Sequence, residues 1–440
     1  MPAWAGISGE TRYRWLARIR GQGEMTIDRS APGTAALPLA VRVGDDFEPV
    51  AADDRYWADL AAAYDVTQAT IQLEHGNWGM MARPVVAAYR ALVERVNRDT
   101  SFYARRGMVA DLHAVRVRVA AAMGVGVDEI LLTRNATEAL KTLITGYNRL
   151  RPGDAVLYAD LDYGSMQACC AALPARRGVS LVRITLPEPA TYQGLIDAYA
   201  AALDAHPNVR LLLLTHLGHR TGLVIPVREI VAMARARGVA AIVDAAHSWG
   251  QLDFTLPDLD ADFVGINLHK WVGAPLGVGA MYIRRGRTSD VDRDPAVNAG
   301  DPDDIDARLH TGTIDFAAHL AVPAALDFQE AIGGARRAAR LRALRDRWVE
   351  PLRDDERFEI LTPDDPRLYG AITGFRLRGR TSQADNVALA RTLLDRHGIF
   401  TVHRDGAASG SCIRVTPALA NRMGDLDRLV FAVRLIAAGR

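Results

Sequence analysis

Seven short apolar runs, at 129–132, 155–159, 179–185, 209–214, 239–243, 263–266 and 278–283, mark the middle of the chain. Helical patterns at 137–149, 164–173, 191–205 and 226–237 lie between most of them. Short β-rich runs alternating with helices predict an α/β unit with a mainly parallel, seven-stranded sheet. A short turn joins the last two runs, which predicts a final strand entering antiparallel at the sheet edge. Upstream, 25–55 lacks sustained periodicity and reads as an N-terminal arm, and 56–64 as a short helix. Pro84 opens a helix to about residue 98, and 111–123 forms another, closed by Gly124 and Gly126. Downstream, 286–310 is an Arg/Asp-rich linker expected to be a solvated loop. A long helix over 316–347 with a break at Gly333-Gly334 follows. Strands near 358–361, 371–378, 399–402 and 411–416, with helices near 382–397 and 424–438, predict a smaller C-terminal α/β domain. The expected division is an arm over 1–55, a large domain over 56–315, and the long helix with the small domain over 316–440. Met25 follows Gly21-Gln22-Gly23-Glu24, residues that purine-rich codons encode, as a ribosome-binding site does. Native translation is therefore expected to start at Met25, with 1–24 an upstream reading.

Composition narrows the class of protein. At 440 residues, 49% hydrophobic and 24% charged, the chain suits a soluble globular protein with a large core. A net charge of +1 implies no attraction to nucleic acid or acidic membrane, and no apolar run approaches a membrane span. Cys169 and Cys170 are adjacent and Cys412 is distant, which fits neither a disulfide framework nor a zinc-ligand spacing. The cytoplasm is the expected compartment. Gly124-Val125-Gly126 precedes a strand instead of following one, against a dinucleotide-binding fingerprint.

The chemistry centres on 262–285, D-F-V-G-I-N-L-H-K-W-V-G-A-P-L-G-V-G-A-M-Y-I-R-R. One lysine, Lys270, stands at the bend between two apolar strands. A lysine there is costly unless it is paired or chemically used. Its natural use is a Schiff base with a carbonyl cofactor, of which pyridoxal 5'-phosphate (PLP) is the commonest. Such a site also needs an anion for the pyridine nitrogen, donors around the phosphate and an aromatic face. Strand 239–243 ends in Asp244; the turn 134–137 opens a helix whose amides and Thr137 hydroxyl suit an anion; Tyr163 follows strand 155–159. Each also has an ordinary structural explanation: a snorkelling lysine, a turn-capping Asp, a plain N-cap, a packed Tyr.

Together these groups resemble the fold-type I PLP enzymes, specifically the class V aminotransferase family and its isopenicillin N epimerase-like branch, from about residue 70 onward. His269-Lys270-Trp271 with Pro275-Leu276-Gly277 carries the likeness most specifically. Glu74-His75-Gly76-Asn77-Trp78-Gly79 resembles that branch's N-H-G-S-F-G element, with three of six positions changed. The resemblance implies that Lys270 holds the cofactor and moves the α-proton, Asp244 partners the pyridine nitrogen and His247 the phenolic oxygen. It implies Tyr163 against the ring, and Ala136, Thr137, Asn267 and His269 on the phosphate. Gly312-Thr313 resembles an element that reaches the neighbouring subunit's phosphate, implying a homodimer with shared sites. Arg414 resembles the arginine that takes the substrate α-carboxylate, with Asn77 also near the substrate. His219 replaces a small polar residue near the cofactor. It is either a further acid–base group or, as favoured here, a hydrogen-bonding replacement. Members with persulfide chemistry need a cysteine on a small-domain loop, and 404–410 has none. The expected activity is C–S β-elimination from a cysteine conjugate, ahead of epimerisation, transamination or decarboxylation, often in specialised metabolism. A binding or regulatory protein on this fold would carry a DNA-binding extension or lack the lysine. This chain shows no helix-turn-helix extension and keeps Lys270.

Overall fold

The computed structural model describes residues 54–297, 300–301 and 303–440. The expected start at Met25, and the expected arm up to residue 53, lie outside the described residues. A two-residue strand, β1 (Ile71–Gln72), precedes the main sheet. That sheet is built from β2 (Ile130–Thr133), β3 (Ala155–Ala159), β4 (Ser180–Ile184), β5 (Val209–Thr215), β6 (Ala240–Asp244), β7 (Phe263–Asn267) and β8 (Gly279–Ile283). Its order is β2-β8-β7-β6-β5-β3-β4.

Neighbours from β7 across to β4 run parallel, joined by helical crossovers. The expected antiparallel strand is β8, but it does not lie at the edge. It pairs antiparallel with β7 on one side and with β2 on the other. Its five residues are all buried, which suits an interior strand, whereas the outer strand β4 is half-exposed with polar residues, as edges usually are.

The parallel strands β5, β6 and β7 end in Thr215, Asp244 and Asn267, so their polar ends gather beyond one rim of the sheet. Helix Ala136–Gly146 lies against β7 because Gly265 has no side chain. A Cβ there would stand 2.4 Å from Leu140 Cγ. This close approach brings the helix N-terminus to the same rim. The 286–310 stretch is only partly solvated: Val291, Ile305, Ala307 and Arg308 are buried.

The expected long helix is three helices, Phe316–Leu320, Val322–Ile332 and Gly334–Arg353. Gly333, at φ 88, makes the last break, a conformation that costs a β-carbon-bearing residue dearly. The C-terminal part has a second sheet, β9 (Phe358–Ile360), β10 (Thr373–Leu377), β12 (Val402–Ala407) and β13 (Gly410–Val415), ordered β12-β13-β10-β9. Between them β11 (Ile399–Phe400) pairs parallel with β1. The core here joins Trp348, Phe375, Leu393 and Val415 to Ile71 and Leu73. Trp348 is fully buried and meets Phe375 edge-on, with ring centroids 5.4 Å apart. Burying one such side chain stabilises by roughly 1.5–3 kcal/mol. The N-terminal segment is thus anchored in the C-terminal core just before it enters the Glu74–Gly79 turn. Among the described residues, no helix is long and apolar enough to cross a membrane.

Candidate active site

A cavity of about 550 Å³ opens at the rim where β5, β6 and β7 end. Asn77, Ala136, Thr137, Tyr163, His219, Asp244, His247, Asn267, His269, Lys270 and Arg414 all line it. Thr313 is exposed and is not part of this wall; its expected role concerns a neighbouring subunit.

Lys270 occupies the turn after β7. Burial pulls its amine down from the usual lysine range to about 8, with Asp244 opposing and Arg414 adding to the fall. Its Nζ lies 2.9 Å from His247 Nε2. On the other side of that ring, Trp271 Nε1–H donates to Nδ1 at 3.5 Å. An indole nitrogen can only donate, so Nδ1 of His247 is the acceptor and Nε2 faces the Lys270 amine. Burial, then the charge of Lys270, holds His247 well below the usual histidine range. The indole, imidazole and amine therefore stand in one hydrogen-bonded line, while burial is what lowers the amine.

Asp244 is 5% exposed, and one carboxylate oxygen accepts the Ala246 N–H at 2.9 Å. Burial raises its pKa, which Ala246 and Lys270 partly offset. A buried carboxylate of this kind calls for a cationic partner.

At the helix start, Asn135 Oδ1 accepts the Glu138 N–H at 2.8 Å, an N-cap. Two of the expected phosphate ligands bind one another here: the Ala136 N–H donates to Asn267 Oδ1 at 2.8 Å. The Ala136 amide is thus not the open donor that the sequence suggested. Thr137, exposed to the cavity, presents the next amide and a hydroxyl. His269 donates from Nδ1 to the Val278 carbonyl at 2.9 Å, which leaves Nε2 as its other polar atom.

The Glu74–Gly79 turn is Gly-rich for a steric reason. The Gly79 N–H donates to the His269 carbonyl at 2.8 Å, and a Cβ on Gly79 would fall 1.6 Å from the Lys270 carbonyl oxygen. A Cβ on Gly76 would fall 2.6 Å from Arg414 Nη2. The turn therefore packs backbone-close against both the lysine and the arginine.

Arg414 is not a free receptor. Its Nε and Nη2 both donate to the Glu74 carboxylate, and Nη1 donates to the His219 carbonyl at 2.6 Å. Arg404, also in the cavity wall, lies with Nη2 3.5 Å from Glu74 Oε1. Neither Glu74 nor Arg404 was expected in the site. The available signal for Glu74 was its departure from the N-H-G-S-F-G element: an acid where the resemblance has an amide. Arg404 gave none, since only the register of the β12–β13 hairpin aims it inward.

His219 meets Tyr163 edge-on, with ring centroids 5.2 Å apart. Burial, then Arg220 and Arg414, lowers His219 to about 3. Cys412 lies buried on β13, where burial pushes its thiol up to about 12.

A mainly parallel seven-stranded sheet, a small C-terminal domain and a lysine facing a buried carboxylate define the fold-type I class of PLP enzymes. Within that class, the aminotransferase class-V family profile matches residues 82–429, and the chain belongs to that family. It is 28% identical over 393 residues to isopenicillin N epimerase of Streptomyces clavuligerus, covering 86% of this chain and 97% of the relative. It is 33% identical over 383 residues to putative L-cysteine desulfhydrase 1 of Oryza sativa subsp. japonica, covering 74% of this chain and 75% of the relative. The fold is shared with the apo cysteine desulfurase of Thermococcus onnurineus NA1, with a TM-score of 0.74 at 19% identity, over 87% of this chain and 98% of that one. The protein is an enzyme whose cofactor is PLP. The donor set suits it: a near-neutral amine, a buried carboxylate for the ring nitrogen, and a helix N-terminus with a hydroxyl for the phosphate.

Proposed function

We propose that the enzyme cleaves the C–S bond of a cysteine conjugate by β-elimination, releasing a thiol, pyruvate and ammonia. One observation carries this choice: Lys270 is placed near neutrality at about 8, while burial lowers all three cavity imidazoles, His219, His247 and His269, below the usual histidine range. Elimination needs one proton carrier at the α-carbon. Two-base epimerisation needs a second on the opposite face, and burial keeps His219 neutral, a weak base and a poor acid for that role.

PLP, when bound, supplies the carbonyl that takes the substrate amine and a protonated ring that accepts the electron pair left at Cα. Lys270 takes the α-proton. As Cβ–S breaks, its electron pair leaves on sulfur, and Lys270 returns the proton to the thiolate; the released aminoacrylate takes up water to give pyruvate and ammonia. With the cofactor bound, Asp244 would hold the ring nitrogen protonated and His247 would partner the phenolic oxygen. Tyr163 would lie against the ring, Thr137, Asn267 and His269 would hold the phosphate with the helix start at Ala136, and His219 would serve as a neutral hydrogen-bonding group. Arg414 orients the α-carboxylate, with Asn77 at the substrate end. None of the three cysteines lines the cavity, which argues against persulfide transfer through a thiolate.

The second reading is epimerisation, supported by likeness across 97% of an isopenicillin N epimerase. Incubating the holoenzyme with S-benzyl-L-cysteine in deuterated water separates the two. Equal yields of pyruvate and benzyl thiol are expected. Recovery of intact substrate, deuterated and inverted at Cα without pyruvate, overturns elimination.

A homodimer with Thr313 reaching the neighbouring phosphate is part of the proposal. Trp78 and Leu276, 53% and 55% exposed, stand beside the cavity-lining Asn77 and Gly277, an apolar rim that a second copy would cover. Sedimentation should give a dimer; a strict monomer with a full complement of PLP overturns the shared site. The unbridged cysteines Cys169, Cys170 and Cys412 fit a reducing compartment, the cytoplasm.

A further inference from the structure

Glu74 takes no part in the chemistry above, yet it occupies the arginine that the substrate needs. Both are buried, at 6% and 1% exposure. A guanidinium has five N–H donors. In Arg414 three are engaged, two by Glu74 and one by the His219 carbonyl. One N–H on Nη1 and one on Nη2 remain. Gly76 packs on the guanidinium and limits its freedom to swing away from Glu74. Arg404 approaches the same Glu74 oxygen at 3.5 Å, donates from Nη1 to the His403 carbonyl at 3.0 Å, and keeps 30% of its side chain exposed.

Charge counting then constrains the ligand. Two guanidiniums and one carboxylate leave a single positive charge. Without Glu74 the pair would repel and hold two anions; without Arg404, Glu74 would neutralise Arg414 and leave nothing to draw a carboxylate in. Burying an unmatched charge is costly, so one added carboxylate is the balanced state.

We propose that Glu74 is a built-in counter-ion, and that Arg404 supplies the charge Glu74 takes from Arg414, so that the two arginines jointly bind one substrate carboxylate. Glu74 acts as a positioning residue that orients Arg414 and sets the site's anion affinity. The site selects free α-carboxylates over amides. The proposal rests on the reading above that the amino-acid carboxylate enters at the Arg414 end of the cavity.

The test uses PLP-loaded enzyme and binding alone, followed by cofactor absorbance. L-alanine and L-alaninamide serve as probes; neither has a β-leaving group, so the outcome does not depend on elimination. For Arg404→Gln, L-alanine is expected to bind about tenfold to a hundredfold more weakly, the loss of one charged hydrogen-bonding partner, while L-alaninamide changes less than about twofold. Arg404→Lys, which keeps the charge, should recover most of the L-alanine affinity. For Glu74→Gln, acetate should compete with L-alanine about tenfold more effectively, because an opposing charge is gone. Equal weakening of both probes by Arg404→Gln, or acetate binding unchanged or weaker in Glu74→Gln, overturns the proposal. Failure to release pyruvate from a cysteine conjugate, with these ratios intact, overturns only the elimination reading.

Discussion

Lys270→Ala is expected to lower turnover by about 10⁴-fold, the upper end of what a positioned general base contributes. Borohydride, which should fix the cofactor to the native chain, should leave none attached to the variant, as read by intact mass. The same lysine has a pH signature. An amine lowered to about 8 is neutral above that pH and protonated below it. Labelling of cofactor-free protein by pyridoxal phosphate at Lys270 should therefore rise through pH 8, more than two units below an ordinary lysine. Asp244 opposes the fall, so Asp244→Asn should move that rise to still lower pH. A rise near 10.5 would contradict the buried, near-neutral amine.

Gly79→Ala is expected to be almost as damaging, though it removes no functional group. The new methyl would meet the Lys270 carbonyl oxygen at 1.6 Å, where no real contact exists. The obstacle is backbone on a buried turn, so no flexible side chain can yield. Either the Glu74–Gly79 turn leaves its hydrogen bond to the His269 carbonyl, or the Lys270 peptide moves. Overpacking of this kind typically costs about 1–3 kcal/mol, and a displacement near 1 Å at a reacting group costs about 10²-fold in rate. We expect kcat/KM to drop by about 100-fold together with a lower melting temperature, while borohydride still attaches cofactor to Lys270. Gly424→Ala, which meets nothing within 4 Å, should change neither quantity; native kinetics in Gly79→Ala would show that the turn does not fix the lysine.

The alternation of apolar runs and helical patterns was enough to place all seven strands of the main sheet. Burial on both faces leaves continuous apolar runs, and the polar residues at or just past the ends of β6 and β7 mark the rim where Asp244, Asn267 and Lys270 stand. These are properties of windows of about ten residues or fewer, so they can be read in one dimension. Strand order is not such a property. The short turn after β7 revealed that β8 is antiparallel, but only packing placed β2 outside it.

The same division holds inside the site. Lys270 and Asp244 could be found because each follows an apolar strand. The pairing of Ala136 with Asn267 could not, because it joins residues 131 apart. Nor could the ion pair between Glu74 and Arg414, 340 residues apart, which depends on β1 docking against β11. The pKa shifts have the same origin, since burial by distant elements is their first cause at Lys270, His219 and His247. Local pattern is enough to establish which chemical groups reach the rim of the sheet. How they are charged, which are already engaged, and how many anions they can still accept follow from contacts that form only when the folded chain brings its two ends together.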